Sequence, residues 1–286
     1  MNHIKPYKIY ELNSDIEPIN NISKEQNEFL KSVVKGEWKL NSEGLVDVQG
    51  NVNCSKMGIS DFKGIKFGRV SGYFDCSNNN LESLEGCPKE VVYGFLCYKN
   101  PIRSLIGSPA KCWNFISSNC KELKSLEGCP QIVTGDFICS DCNLESIEGA
   151  PEKIRLNFDC SKNKIKSLKG GPNKVGNDYI CSYNEIENLE GSPFNVGGTF
   201  DLSNNRIDSL DGIPPGYYNY GNVDFAYNKM SERNLKFIYV RMRSYREDFY
   251  KALISLKKIS NPQFYKEIID SCPEGTREKI QTKEPG

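Results

Sequence analysis

The stretch Phe74-Asp75-Cys76-Ser77-Asn78-Asn79-Asn80-Leu81-Glu82-Ser83-Leu84-Glu85-Gly86-Cys87-Pro88 decides how the rest of the chain is read. Its glycine recurs at Gly107, Gly128, Gly149, Gly170, Gly191 and Gly212, always 21 residues further on. A proline follows each glycine two residues later, from Pro88 to Pro214. A fixed period of this length means that one supersecondary unit is stacked on copies of itself, each burying its neighbour's apolar face.

The apolar positions say which unit. Leu81, Ile102, Leu123, Leu144, Ile165, Ile186 and Ile207 recur at one position, and Leu84, Leu105, Leu126, Ile147, Leu168, Leu189 and Leu210 at another. Upstream lie strand cores at Phe74-Asp75-Cys76, Phe95-Leu96-Cys97, Ile116-Ser117-Ser118, Phe137-Ile138-Cys139, Phe158-Asp159-Cys160, Tyr179-Ile180-Cys181, Phe200-Asp201-Leu202 and Val223-Asp224-Phe225. The third copy fits almost as well one residue earlier, as Phe115-Ile116-Ser117. This is the pattern of a leucine-rich-repeat solenoid of about nine coils, an α/β repeat class fold that is mostly β, with a parallel sheet on its concave face. The outer residues of each triplet point inward, because side chains alternate along a strand. Asn79, Asn100, Asn163, Asn184, Asn205 and Asn228 are placed to bond free backbone groups where the chain leaves the strand. Gly-x-Pro forbids a convex helix and predicts an extended return path with turns.

Composition narrows the function. The 286 residues carry 37 Lys+Arg and 37 Asp+Glu, so there is no electrostatic footprint for nucleic acid or membrane. No apolar run approaches the ~18 residues needed to span a bilayer, and Met1–Lys8 has no signal-peptide core. Six of the twelve cysteines (Cys54, Cys76, Cys97, Cys139, Cys160 and Cys181) share one inward position. Strands about 4.8 Å apart do not bring Cβ atoms to the ~3.8 Å of a disulfide, so a reduced cysteine ladder and a cytoplasmic compartment are expected.

Residues 1–50 read as a polar arm followed by a helix and hairpin cap. Ser23 is the expected N-cap of a helix over about residues 24–35 that Gly36 ends, and Trp38–Leu40 with Leu45–Val48 read as the hairpin. The repeats occupy residues 51–230. Beyond them, Leu235, Ile238, Tyr239 and Met242, then Phe249, Leu253 and Ile254, then Phe264, Ile268 and Ile269 predict a helical C-terminal cap over 231–286 with a frayed tail.

The pattern Asn-x-Leu-x-Ser-Leu-x-Gly-x-Pro resembles the short bacterial subtype of leucine-rich repeat found in secreted effectors of enteric pathogens. Residues 28–48, Glu-Phe-Leu-Lys-x-x-x-Lys-Gly-Glu-Trp-Lys-Leu-Asn-x-x-Gly-Leu-Val-Asp-Val, joined to Cys-Ser-x-Asn-x-Leu-x-Ser-Leu-Glu-Gly repeats, are similar to leucine-rich-repeat proteins encoded by tailed bacteriophages. The resemblance covers about residues 24–230. It implies a solenoid, with a host protein, including a component of antiviral defence, as the natural target. It transfers no active site.

No catalytic set emerges from the residues. His3 is the single histidine, which leaves no Ser-His-Asp or Cys-His arrangement and no histidine-containing zinc site. In Cys139-Ser-Asp-Cys142 the first cysteine is an inward residue and the second stands where other copies carry the ladder asparagine. Every periodic glycine is accounted for by a turn, so none is left to cradle a phosphate. The expectation is a non-catalytic protein with no cofactor and no metal.

The variable positions of the concave face remain. Between the inward residues stand Asn53, Asp75, Leu96, Ser117, Ile138, Asp159, Ile180, Asp201 and Asp224. Two residues earlier come Tyr73, Phe115, Asp136 and Asp178, and beyond the strand Tyr98, Asp141, Tyr183 and Tyr227. Seven aspartates face three lysines (Lys56, Lys99 and Lys162), so this face is acidic although the chain is neutral. Apolar residues among carboxylates predict an interface for a basic protein partner. The alternative is a small-molecule or nucleotide-signal binder, which needs a basic pocket elsewhere, for which Lys121, Lys124, Lys164 and Lys166 on the rim are the candidates.

Overall fold

A computed structural model of the chain describes residues 22–209, 212 and 220–229. The N-terminal arm, His3 and the expected C-terminal helices lie outside the described residues.

Helix α1, Lys24–Val33, starts with a capping box. Ser23 Oγ accepts from the Gln26 amide at 3.1 Å, and Gln26 Oε1 accepts from the Ser23 amide at 2.9 Å. Its Phe29, Leu30 and Val33 are buried. The helix does not run on to Gly36, because the chain turns extended at Val34 and enters strand β1, Val34–Leu40, directly. Gly36 instead faces Gly50 of β2, Val46–Asn53, across an antiparallel pair, and a Cβ on Gly36 would strike the Gln49 carbonyl. The other edge of β2 pairs in parallel with β3, Phe67–Val70, and β4, Phe74–Asp75. The hairpin thus covers what would be an open sheet edge.

Each following coil contributes two short strands. The main row holds β4, β6 (Gly94–Leu96), β8 (Asn114–Ile116), β10 (Phe137–Ile138), β12 (Phe158–Asp159) and β14 (Tyr179–Ile180). A second row, formed by the extended path after each Gly-x-Pro, holds β3, β5 (Glu90–Val91), β7 (Lys111–Cys112), β9 (Ile132–Val133), β11 (Lys153–Ile154) and β13 (Lys174–Val175). β15, Asn195–Asp201, runs through both rows as β2 does, and β16, Tyr220–Asp224, pairs with it. All sixteen strands join one sheet, parallel throughout except for β1 on β2. A repeat that stacks strand on strand in this way is a leucine-rich-repeat solenoid of about eight turns, counted from β2 to β16.

The core is a set of columns. Rings of Phe74, Phe95, Phe115, Phe137, Phe158, Tyr179 and Phe200 follow one another with centroids 4.9 to 5.9 Å apart. Tyr179 has one atom more than its neighbours. Gly171 makes the room for it, since a Cβ there would lie 2.8 Å from the Tyr179 hydroxyl. Beside the rings runs the thiol column, in which Cys54, Cys76 and Cys181 each donate to a carbonyl of the next coil at 3.2 to 3.4 Å. All cysteines among the described residues are free and buried.

The asparagines form the expected ladder. Asn184 Nδ2 donates to Cys160 O at 3.1 Å and Cys181 O at 3.0 Å, and its Oδ1 accepts from the Ile165 amide at 3.0 Å. Asn79, Asn100, Asn163, Asn205 and Asn228 repeat the arrangement. In two coils cysteine takes this place: Cys142 Sγ donates to Ser117 O at 3.2 Å and accepts from the Cys120 amide at 3.4 Å. The turn glycines are required too. Gly107 has φ +96°, and a Cβ there would lie 2.6 Å from Leu84 O.

Candidate partner-binding face

The main row decides how the variable residues are presented. Its strand pairs set Asn53, Asp75, Leu96, Ile116, Ile138, Asp159, Ile180, Asp201 and Asp224 side by side, each the partner of the next. The third copy therefore takes the earlier register. Phe115 is not on the outward face: its ring fills the core column between Phe95 and Phe137 and is fully buried. Ser117, expected to face outward, is likewise buried, and Ile116 stands in its place.

The physical reason is a one-residue transfer within that coil. Relative to its neighbours, the coil of β8 has one residue fewer between Cys112 and Phe115 and one more between Cys120 and Leu123. Phe115→Ala should then cost about 3 kcal/mol of stability, as expected for a buried ring, whereas Ile116→Ala stays within about 0.5 kcal/mol. Guanidinium unfolding of the two variants checks this.

Leu96, Ile116 and Ile138 become three adjacent half-buried apolar side chains, roughly 10 Å from first to last at strand spacing, with Asp75 on one side and Asp159 on the other. Tyr73 adjoins this strip. Its exposed ring lies over Gly94, where a Cβ would come within 2.8 Å of it, and stacks on Tyr93 at 5.7 Å.

The aspartates fall into two sets. One oxygen of Asp75, Asp159, Asp201 and Asp224 accepts from the amide two residues on, at 2.8 to 3.0 Å, which shapes the turn leaving the strand. One oxygen of Asp136 accepts from the Asn157 amide at 3.1 Å, and one of Asp178 from the Thr199 amide at 2.7 Å, tying each coil to the next. These carboxylates are thus held in place by the scaffold.

Past the strand, Tyr98 is half-buried, while Tyr183 and Tyr227 are 56% and 60% exposed. Both tyrosines occupy the left-handed turn position, with φ 56° and 58°. Asn78, Asn119 and Asn204 hold that position in three other coils and Lys56, Lys99, Asp141 and Lys162 in the rest, and asparagine and aspartate tolerate it better than an aromatic residue does.

Two of the four rim lysines are paired with carboxylates. Lys121 is bonded to Asp141 and Lys124 lies 4.0 Å from Glu145. A basic groove lies on the second row, lined by Ile132, Lys153, Arg155 and Lys174. The sequence pattern singles out neither this groove nor Tyr93 and Trp113, although Val70, Val91, Cys112, Val133, Ile154, Val175 and Val196 recur every 21 residues just before them. Among the described residues no group of three His, Cys, Asp or Glu could hold a metal ion, and no helix is long and apolar enough to cross a membrane.

The columns, the ladder and the parallel rows define the class: a leucine-rich-repeat solenoid with a variable outward face. No known protein family and no curated protein matches the chain. Among solved structures it is similar to YopM from Yersinia enterocolitica WA-314, with a TM-score of 0.46 and 22% identity over 63% of this chain. The match spans 40% of that protein's length.

Proposed function

We propose that the chain is a non-catalytic scaffold that holds a basic protein partner against the outward face of its main strand row. The observation that carries this reading is the unbroken strip Leu96–Ile116–Ile138 between Asp75 and Asp159. An apolar centre inside a charged rim is the usual anatomy of a recognition surface, and a rigid sheet presents it at little entropic cost. The second support is Tyr183 and Tyr227. An aromatic side chain in the left-handed region costs about 1 kcal/mol or more and adds nothing to the core, so its use lies at the surface.

The similarity of residues 28–48 and the repeats to bacteriophage proteins puts a host protein, such as a component of antiviral defence, first among candidate partners. Affinity capture from host lysate tests the reading, with wild type and Asp159→Lys/Asp201→Lys/Asp224→Lys run in parallel. The wild type should retain a basic protein that the charge-reversed variant loses. Equal capture by both would contradict the proposal.

A further inference from the structure

The second strand row carries its own surface, with the opposite charge. Its outward positions read Arg69, Glu90, Lys111, Ile132, Lys153, Lys174 and Asn195 from coil to coil. Arg69 and Lys111 both lie within 4.0 Å of Glu90. Lys153, Arg155 and Lys174, by contrast, have no carboxylate within that distance among the described residues, and they converge on a groove of about 540 Å³. Its one carboxylate is Glu152, and its apolar floor is Ile132, 55% exposed.

Trp113 adjoins this groove through Arg155. It is 41% exposed, its ring covers Gly135, where a Cβ would lie within 2.5 Å of it, and the Arg155 guanidinium sits 5.9 Å from the ring centre. A guanidinium over an indole keeps its outer face and edge N–H groups free to bind a carboxylate.

We infer that this groove is a second recognition site, for an extended acidic segment of a protein partner that carries one apolar or aromatic anchor. The anchor rests on Ile132 and Trp113, and the segment's carboxylates meet Lys153, Arg155 and Lys174. Ile132, Lys153 and Lys174 stand on adjacent strands, so the site is about 10 Å long, enough for roughly three extended residues. A nucleic-acid strand fits less well, because Asp136, Asp159 and Asp178 of the same coils lie on the adjoining row and repel a continuous polyanion.

The test pans a phage-displayed library of short random peptides on the intact protein and measures the enriched sequences by fluorescence anisotropy. The expected result is a set of peptides rich in Asp and Glu with one aromatic or aliphatic residue. Their affinity should fall roughly tenfold or more in Lys153→Glu/Arg155→Glu/Lys174→Glu and remain unchanged in Leu96→Asp/Ile138→Asp. The latter variant disrupts the main-row face only, so failure of one site is read separately from failure of the other. The inference is overturned if no acidic sequence is enriched. It is also overturned if the acidic peptides still bind the charge-reversed groove, or if oligothymidylate displaces them and binds with a steep salt dependence.

Discussion

Raised from pH 8 to about pH 10, the protein should lose its β-sheet circular-dichroism signal in one cooperative transition. The cause is the cysteine content of the core. Burial pushes the thiols of Cys54, Cys76, Cys87, Cys97, Cys139, Cys160 and Cys181 upward, and those of Cys112 and Cys129 to about 12. Cys142 is raised first by its hydrogen bond with Cys120 and then by burial. A thiol whose folded pKa exceeds its unfolded value, near 8.5, gives stability that is complete below 8.5 and is lost as pH rises toward the folded value.

One unit above 8.5, each such thiol withdraws about 1.4 kcal/mol, and ten of them acting together rival the whole stability of a typical domain. Ellman's reagent provides the second readout. At pH 8 the native protein should release little colour, and the denatured protein should release that of all its thiols. A native spectrum retained at pH 11 would mean that the columns admit thiolates.

The next largest effect is expected at the asparagine ladder. Asn184→Leu orphans the Ile165 amide and takes one donor each from the Cys160 and Cys181 carbonyls, all in the interior. Losing three bonds and leaving a buried N–H unpaired costs about 3–5 kcal/mol. Asn184→Cys should cost about 1–2 kcal/mol, because a thiol can both donate and accept weakly, as Cys142 does at this position. Guanidinium midpoints of the two variants settle the order, and equal losses would mean that the site selects for size rather than for hydrogen bonding.

The cysteine column and the asparagine ladder are both legible in the amino-acid sequence, and the reason is physical. Gly-x-Pro is strict in its spacing because each glycine has a left-handed φ, and at all of them but Gly149 the preceding coil also comes too close to admit a Cβ, so the period is visible at once. The strand is less constrained. Phe115 with Ser117 and Ile116 with Ser118 present nearly the same polarity to the core, and alternation alone cannot separate them. The ladder does separate them. In the other coils the ladder residue stands three after the second inward residue, as Asn79 does after Cys76 and Asn163 after Cys160. Cys120 is three after Ser117.

The second row is harder to see, because strands of two residues such as Lys153–Ile154 leave no alternation to detect. The placement of Trp113 over Gly135, or of Tyr73 over Gly94, exists only once neighbouring coils are stacked. Gly36 misleads for a related reason. A glycine after an amphipathic stretch usually caps a helix, but here Gly50 lies opposite, and close strand packing claims both.

The residues that make the repeat recognisable are therefore mostly its columns and turns, and the proposed partner contacts fall at the positions where copies differ. Calorimetric titration of the captured partner into wild type and into Leu96→Ala/Ile116→Ala/Ile138→Ala tests that division. A central apolar strip predicts roughly a hundredfold or greater loss of affinity, with a thermal midpoint within a few degrees of wild type. An unchanged affinity would contradict the account, and would place the partner somewhere other than the main-row face.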